Sequence, residues 1–323
     1  MCGICGEMRF DGGTVENSML DRMNSRLERR GPDDAGIYID GSTGFGHRRL
    51  SVIDLSARSH QPMVDEELDL ALVFNGAIYN YRELRAELRA RGYNFFSDGD
   101  TEVILKAYRE WGERCPEHLH GMFAFVIWDR RKRCCFMARD RFGIKPLYYS
   151  LDDRRLRFAS NTQALLAGAD IDTTIDAEAL HFQFTLHAVV PAPRTVISGI
   201  RKLEPGHSMT IGSDGTTGLR RYWHLEARRP EKSMSEDDWV EAIHTGLRRA
   251  VQRRNDVADV PVGVLLSGGL DSSLLVALLA ELGMQDIRTF SVGFEDQPEE
   301  KGSEFEYSDQ VVERYHPAHH KFL

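Results

Sequence analysis

The sequence lacks the long apolar runs, the leader pattern and the excess of basic residues that mark several classes of protein. Its longest apolar runs, such as residues 274–280, are far below the roughly 18 residues needed to span a bilayer. Its start, MCGICGEMRF, has no signal-peptide shape. The formal net charge of -9 argues against a general nucleic-acid binder and leaves no polybasic surface for a membrane. We therefore expect a cytoplasmic protein without nucleic-acid or membrane partners.

Cysteine is also scarce, with five residues in a chain of 323, which does not suggest a disulfide framework. Cys2 and Cys5 form a C-x-x-C pair. A thioredoxin-type redox pair would sit after a strand and open a helix, whereas here no strand precedes the pair. A zinc site would need a second ligand pair of similar spacing, which the other cysteines do not offer. We therefore predict no metal ligands, and a redox or metal-binding pair is the weaker alternative.

The first residues carry a different chemistry. A small second residue such as Cys2 permits removal of Met1, after which Cys2 carries both a thiol and a free α-amino group. The unperturbed pKa of an α-amine is about 7.7–8.0, so a usable fraction is a free base near neutral pH. One residue would then supply the attacking sulfur and the proton acceptor. A cysteine at position 2 is by itself more often chance, so this hypothesis depends on the rest of the chain.

At 323 residues the chain is long enough for two domains. Residues 1–211 combine amphipathic helices with many short β-like segments, which predicts an α+β sandwich covered by helices on its faces. A shift to Gly, Thr, Arg, Pro and Glu without apolar periodicity predicts a linker at 212–234. Helices are predicted at 14–29, 81–90 and 101–111, and strands at 4–10, 35–39, 44–49, 68–75, 124–129, 134–139, 147–151, 196–200 and 207–211.

Residues 235–323 have another rhythm. An amphipathic helix at 235–254 is followed by a buried-looking strand at 260–266, a glycine turn, a helix at 271–282 and a strand at 287–294. Strand, helix and strand at this spacing are typical of a βαβ unit in a parallel sheet. We therefore predict an α/β second domain.

The glycine turn reads Ser-Gly-Gly-Leu-Asp-Ser-Ser at 267–273. Its glycines let the backbone bring N–H groups close to a ligand, and the start of the following helix attracts anions. The serine hydroxyls can donate to phosphate oxygens, while Asp271 could hold a magnesium ion or position the turn. The pattern is not a Walker A loop, because the lysine of that loop is absent. A plain glycine-rich turn is the alternative interpretation.

This turn resembles the pyrophosphate loop of the ATP-pyrophosphatase superfamily, in which ATP is cleaved between its α and β phosphates to adenylate an acceptor. Together with Cys2, it makes the whole chain similar to the glutamine-dependent asparagine synthetase family, which has a class II, N-terminal-nucleophile glutamine amidotransferase domain in front. The resemblance implies an αββα sandwich over 1–211, then the N-terminal part of an α/β ATP-pyrophosphatase-type domain over 235–323. Further segments that carry it are RGPD at 30–33, HRRLSVID at 47–54, QP at 61–62, NGAIYN at 75–80, GDTE at 99–102, GMFAF at 121–125 and RDRFGIKPLYY at 139–149.

The resemblance implies the residues of a glutaminase site. Cys2 would attack the side-chain amide of glutamine, and the Asn75 side chain with the Gly76 N–H would hold the oxyanion. Arg49 would bind the α-carboxylate of glutamine and Asp100 its α-ammonium group. The glutamine-binding residues would be Arg49, Leu50, Ser51, Val52, Ile53, Asn75, Gly76, Ala77 and Asp100.

Two of these residues have simpler explanations. Arg49, in an Arg-Arg-Leu run, would by itself be a surface charge, and Asp100 also suits the N-cap of the helix predicted at 101–111. Ala77 departs from the family, in which glutamate follows the Asn-Gly pair. One acidic contact to the substrate amine is then missing, so we expect weaker glutamine affinity rather than altered chemistry.

The same resemblance implies that the second domain uses ATP and Mg²⁺ to adenylate an acceptor carboxylate, after which ammonia displaces AMP. Ammonia would travel as neutral NH₃, because a protonated nitrogen is no nucleophile and is costly to desolvate. The implied substrates are the small molecules glutamine, ATP and the acceptor, and a homodimer is a further expectation. The ATP-binding residues would be Leu266, Ser267, Gly268, Gly269, Asp271, Ser272 and Val292.

The end of the chain leaves the acceptor open. The family continues beyond Leu323 with a second nucleotide motif and most acceptor-binding residues, so we expect a truncated second domain. Residues 184–195 and 302–309 look more like the N-acetylglutaminylglutamine amidotransferase branch, and we favour that dipeptide over aspartate as acceptor. A stand-alone glutaminase with a vestigial second domain and a non-catalytic, ligand-binding relative are the alternatives.

Overall fold

The computed structural model describes residues 1–295 and 302–323, which divide into the units Met1–Glu226 and Ala227–Leu323. Within those residues, no helix has the length and apolar character that a membrane span requires. The strands of the first unit are β1 (Gly3–Arg9), β2 (Asp34–Asp40), β3 (Thr43–Arg49), β4 (Met63–Asp65), β5 (Leu70–Ile78), β6 (Gly121–Asp129), β7 (Cys134–Arg139), β8 (Tyr148–Leu151), β9 (Arg155–Ala159), β10 (Arg201–Lys202), β11 (His207–Gly212) and β12 (Thr217–Arg221). Its α-helices are α1 (Asn17–Ser25), α2 (Tyr81–Ala90), α3 (Asp100–Trp111), α4 (Cys115–His118), α5 (Thr162–Ala167) and α6 (Ala177–Thr185).

Two six-stranded antiparallel sheets make up the first unit. One has the strand order β10-β8-β9-β1-β3-β2, and the other has the order β12-β11-β7-β6-β5-β4. In the first sheet β1 pairs with β3, with Gly3 opposite Arg48. In the second sheet β5 pairs along its whole length with β6, with Gly76 opposite Phe123. Cys2 directly precedes a central strand of one sheet, and Gly76 lies inside a long strand of the other.

The sheets pack face to face because successive residues of a strand point to opposite faces. In β1, Ile4 and Met8 belong to the core between the sheets, whereas Cys5 belongs to a second core on the outer face. That outer core includes Leu20 of α1 and Leu165 of α5. On the other sheet α3 packs against β4 and β5, and α2 packs against α3. The layers are therefore helix, sheet, sheet and helix.

Most predicted elements of the first unit are confirmed, but the strand predicted at 196–200 is wrong. That segment has only an isolated bridge between Ile197 and Ile175. Its backbone turns back on itself, since the Ile200 N–H donates to the Ile197 carbonyl at 3.0 Å and the Thr195 hydroxyl contacts the same carbonyl at 2.8 Å. The structure also places β12 within 212–234, the segment predicted as linker.

The second unit contains a parallel sheet, as predicted, with the strands in the order β13 (Gly263–Leu265), β14 (Arg288–Val292) and β15 (Ala318–Phe322). Its first helix begins with a capping box, in which the Ser235 hydroxyl accepts from the Asp238 N–H at 3.2 Å and the Asp238 carboxylate accepts from the Ser235 N–H at 2.9 Å. The strand β15 was not predicted. The elements are α7 (Glu236–Asp256), β13 (Gly263–Leu265), α8 (Leu270–Glu281), β14 (Arg288–Val292), α9 (Phe305–Tyr315) and β15 (Ala318–Phe322).

Candidate active site

A cavity of about 120 Å³ lies in the first unit, where the start of β1, the loop after β3, the end of β5 and the start of α3 meet. These four segments are far apart in the sequence, so the fold assembles the cavity. Its wall is mainly apolar with a few polar groups, as in many small-molecule sites. The lining residues are Met1, Cys2, Arg49, Leu50, Val52, Ile53, Ser59, Gln61, Phe74, Asn75, Gly76, Ala77, Asp100, Thr101, Met122 and Lys145.

Cys2 lies against the loop that follows β3. Its thiol donates to the Leu50 carbonyl at 3.6 Å, and the Leu50 N–H donates to its Sγ at 3.4 Å. The chain comes close to α1 here, since a Cβ on Gly3 would lie only 2.7 Å from the Leu27 Cβ. Burial raises the pKa of the Cys2 thiol above its ordinary value. The thiol therefore needs a base before it can act as a nucleophile.

Met1, which carries the α-amino group of the chain start here, lines the same cavity. The pKa of this amine is lowered, chiefly by burial and further by the positive charges of Lys145 and Arg30, whereas Cys2 and Asp33 act in the opposite direction. Arg30 Nε also donates to the Cys2 carbonyl at 3.1 Å, which holds the start of the chain in place. Burial and these two cations therefore favour the uncharged form of the amine, which is the form that can accept a proton.

Asn75 and Gly76 lie in β5 on the cavity wall. The Asn75 side chain is buried, and within the described part of the chain neither its Oδ1 nor its Nδ2 has a hydrogen-bond partner. Buried polar groups are nearly always paired, so this free amide indicates a group that binds a ligand. A Cβ on Gly76 would lie 2.2 Å from the Met122 carbonyl oxygen and 2.8 Å from the Phe123 Cα. Only glycine therefore fits beside β6 at this position.

Arg49 ends β3 and is buried. Its Nη1 donates to the Ser56 carbonyl at 3.0 Å, and its Nη2 donates to the Asp54 carbonyl. The Asp54 carboxylate accepts hydrogen bonds from the hydroxyls of Ser56 and Ser59, each at 2.6 Å. Burial alone would raise the pKa of Asp54, but these hydrogen bonds hold it well below its ordinary value. The guanidinium thus holds the loop at 50–56 that lines the cavity.

Asp100 is the first residue of α3, and Gly99 is the N-cap, so the N-cap predicted at Asp100 is wrong. The reason is tertiary, because the Asp100 carboxylate accepts the N–H of Ile78, at the end of β5, at 2.9 Å. Burial raises the pKa of Asp100 to about 6, although the Ile78 N–H opposes the shift. The group is therefore mostly ionised at pH 7. A buried carboxylate on the wall of a cavity suits a cationic ligand group.

Two residues that were not predicted from the sequence hold the backbone next to Asn75. Gln61 Oε1 accepts the Phe74 N–H at 2.7 Å, and His47 Nε2 lies 3.1 Å from the Phe74 carbonyl. Burial lowers the pKa of His47 to about 3, so the ring is neutral and Nε2 is the donor to that carbonyl. Gln61 and His47 both lie in segments that carry the family resemblance, and that was the available indication of their importance.

The glycine loop of the second unit precedes α8, which begins at Leu270 with Gly269 as N-cap. Gly268 has a φ of +87°, and a Cβ there would lie 2.5 Å from the Ser308 backbone nitrogen. The Ser267 hydroxyl accepts the Gly269 N–H at 3.3 Å. Beside the loop is a cavity of about 250 Å³ lined by Leu266, Ser267, Ser291, Val292, Phe294, Gly302, Glu304, Phe305 and Ser308. Of the predicted ATP-binding residues, it includes Leu266, Ser267 and Val292 but not Gly268, Gly269, Asp271 or Ser272.

Comparison with known families identifies the first unit. A family model described as the glutamine amidotransferase domain matches residues 1–223, more than half of the chain. The chain belongs to this family. A second model, described as asparagine synthase, matches residues 242–323.

The amidotransferase chain also has similar relatives. Asparagine synthetase [glutamine-hydrolyzing] 3 of Bacillus subtilis is 36% identical over 99% of this chain and 54% of its own length. Asparagine synthetase [glutamine-hydrolyzing] 1 of the same organism is 41% identical over 92% of this chain and 46% of its own length. A putative asparagine synthetase of Methanocaldococcus jannaschii is 36% identical over 100% of this chain and 64% of its own length. The chain spans about half the length of the two Bacillus relatives.

Solved structures support the fold. The glutamine phosphoribosylpyrophosphate amidotransferase of B. subtilis, in complex with ADP and GMP, matches 100% of this chain and 90% of its own with a TM-score of 0.52 and 15% identity. A structure described as the allosteric regulatory enzyme of purine biosynthesis matches 99% of this chain and 65% of its own with a TM-score of 0.52 and 17% identity. These matches confirm the predicted αββα sandwich fold of the first unit.

The amidotransferase unit brings the predicted site residues together with one exception. Ser51 does not line the cavity, because its N–H is directed to the Asp33 carboxylate at 2.8 Å. Lys145 lines the cavity although the sequence analysis gave it no role. The predicted residues that do line the cavity are Cys2, Arg49, Leu50, Val52, Ile53, Asn75, Gly76, Ala77 and Asp100.

Proposed function

We propose that this protein releases ammonia from glutamine at Cys2 and passes it to an adenylated carboxylate in an ATP-dependent amide synthesis. One observation carries the proposal: a thiol, an arginine, an aspartate and an unpaired asparagine amide surround a single small cavity. The two Bacillus relatives are named glutamine-hydrolysing asparagine synthetases, which fits this chemistry.

In the first half-reaction the Cys2 sulfur attacks the amide carbon of glutamine. The thiol proton moves to the α-amine of the mature chain, and the Asn75 amide with the Gly76 N–H stabilises the oxygen that becomes negative. The amine then gives the proton to the nitrogen, the carbon–nitrogen bond breaks, and NH₃ leaves. Water cleaves the thioester that remains, so that glutamate departs and the thiol is restored.

Two charged side chains suit the ends of the substrate. Arg49 would bind the α-carboxylate of glutamine with donors left over from its contacts to the loop, and Asp100 would bind the α-ammonium group. Ala77 lines the same cavity without offering an acid, so Asp100 bears this contact alone.

In the second half-reaction the loop at 267–273 would hold ATP. The close approach at Gly268 and the start of α8 suit the phosphates. Mg²⁺ is commonly held by one or two carboxylates together with phosphates, so the single exposed carboxylate of Asp271 fits a metal that arrives with the nucleotide. The metal would neutralise phosphate charge. N-acetylglutaminylglutamine is the favoured acceptor, with aspartate as the alternative, and a homodimer and a cytoplasmic location stay predictions.

To test this proposal, the full-length protein is incubated with ATP, Mg²⁺, glutamine and either N-acetylglutaminylglutamine or aspartate. The formation of AMP and of the amide product is then measured. We expect AMP and amide with one acceptor and glutamate release that depends on Cys2. Glutamine hydrolysis without AMP from either acceptor would refute the synthetase half and favour a stand-alone glutaminase. An intact mass that retains Met1, with no hydrolysis, would favour a non-catalytic relative.

A further inference from the structure

Lys145 lines the amidotransferase cavity, but the proposed reaction gives it no task. It lies in the loop between β7 and β8 and is buried. Its Nζ lies 2.8 Å from the sulfur of Met1. Across residues 1–295 and 302–323, no carboxylate forms an ion pair with this ammonium group. A buried charge without an acidic partner is costly, so its presence here points to a use.

Asp140 fixes the direction of this lysine through the backbone. Its Oδ2 accepts the N–H groups of Lys145 at 2.9 Å and Phe123 at 3.1 Å. Its Oδ1 accepts the N–H groups of Phe142 at 3.1 Å and Ile144 at 3.0 Å. The carboxylate therefore accepts four backbone hydrogen bonds and holds the loop in one conformation. The lysine side chain is left to reach the cavity.

The Lys145 ammonium group contacts the Met1 side chain, and Lys145 lines the same cavity as Cys2, where the reaction needs a base. Removal of Met1 would take away the side chain that now contacts Lys145 and would move the α-amine to Cys2. Burial lowers the pKa of Lys145, but its ordinary pKa of about 10.4 lies well above the 7.7–8.0, roughly, of an α-amine. The negative charge of Asp140 acts against the effect of burial and favours the charged form of the lysine. The other charged or titratable groups that face this corner are Arg30, Asp33, Arg49, Asp100, Asp140 and Tyr148.

Resting on the proposed function, we propose that Lys145 is a positioning residue whose positive charge keeps the α-amine of mature Cys2 uncharged before the attack. A neighbouring cation disfavours a second one. The free amine takes the proton from the Cys2 thiol as the sulfur bonds to the amide carbon. The ammonium so formed is made more acidic by the same lysine, and it gives the proton to the departing nitrogen, which leaves as NH₃.

The test measures ammonia release from glutamine against pH for the full-length wild type, Lys145→Met and Lys145→Arg. We expect the acidic limb of kcat/KM to move up by about one pH unit in Lys145→Met, with about tenfold lower activity near pH 6.5 and less than about a twofold change near pH 9. Lys145→Arg keeps the charge and should keep the limb in place. Lys202→Met is the matched control, since the Nζ of Lys202 donates to the Val190 carbonyl at 2.6 Å and does not line the cavity.

The outcomes separate this inference from the proposed function. An unmoved limb in Lys145→Met, or an equal loss at every pH, would overturn the role of the lysine. A wild type that hydrolyses no glutamine at any pH would refute the proposed function instead. In that case the role of Lys145 is tested by an NMR titration of the α-amine in ¹⁵N-cysteine-labelled protein. An equal amine pKa in wild type and Lys145→Met would overturn the inference. Lys145→Met should also unfold no earlier than the wild type, and Lys145→Gln replaces it if it fails to fold.

Discussion

The two units of this protein build their candidate sites in different ways. In the first, Cys2, Arg49, Asn75 and Asp100 come from four separate segments around one cavity, and the last three are buried. In the second, the loop groups come from a single turn at 267–273 and are largely exposed. Groups locked by packing are in place before a ligand binds. Substitutions in the first site should therefore change the reaction rate and the free energy of unfolding independently. Substitutions in the second site should act by changing the conformation of the loop.

The largest effect expected is that of Cys2→Ala, which keeps the α-amine and removes the sulfur. Glutamine hydrolysis should fall by about 10⁴-fold or more, because no other group forms the thioester. Glutamate release measures it. Cys5→Ala is the control, since Cys5 is buried in the core beside α1, and it should cost about 1 kcal/mol of unfolding free energy and keep the activity. An equal loss in both variants would contradict the assignment of the nucleophile.

Asn75→Ala tests the unpaired amide of the first site. We expect kcat to fall about 10²–10³-fold with KM within about threefold, because the donor acts on the transition state. The free energy of unfolding should not fall, since no hydrogen bond within the described residues is lost.

Asn80→Ala sharpens this test. The Asn80 amide is paired on both sides, with the His118 carbonyl at 3.0 Å and the His120 N–H at 2.8 Å. This variant should therefore lose about 1–3 kcal/mol of stability with little change in kcat. Loss of stability in Asn75→Ala with unchanged kcat would remove the oxyanion role.

Asp100 should make substrate binding depend on pH. Its pKa of about 6 lies above the ordinary 3.8, so the folded protein binds more protons than the unfolded chain between these values. Its contribution to stability therefore falls as pH rises from about 4 to about 6, and Asp100→Asn should be more stable by about 2 kcal/mol at pH 7. In the wild type, KM for glutamine should rise as the pH falls below about 6. In Asp100→Asn, KM for glutamine should be about 10–100-fold higher than in the wild type. A KM without pH dependence, measured by initial rates, would count against the ammonium contact.

The smallest effects are expected in the second unit. Gly268→Ala should destabilise it by about 1–3 kcal/mol, because the residue needs a positive φ and a Cβ would meet the Ser308 nitrogen at 2.5 Å. Gly246→Ala, at an open position in α7, should instead stabilise it by about 0.5–1 kcal/mol. Hydrogen exchange of the second unit measures both. Glutaminase rates should stay within about twofold, and equal destabilisation by both variants would contradict the backbone argument.

Hydrophobic periodicity predicted much of the first unit, and its failures have identifiable causes. The strand β9 was missed because Arg155 and Arg157 make it look exposed. In the fold, Glu7 of β1 lies opposite Arg157 of β9, and the two side chains form a buried ion pair. A charge buried beside its partner cannot be told from an exposed charge by local pattern. The strand prediction at 196–200 is wrong for the opposite reason: the segment is apolar, but its backbone forms a turn.

The sequence by itself predicted which residues would carry the chemistry. Cys2, the Asn75-Gly76 pair and the serine-glycine turn at 267–273 lie in short contiguous motifs, and such motifs can be recognised without knowledge of the fold. Only the tertiary structure decided how these residues are supported. It leaves the Asn75 amide unpaired, ties Arg49 to its loop, raises the pKa of Asp100 and directs Lys145 into the cavity. These properties depend on burial and on contacts between distant segments, and both arise only when the chain has packed.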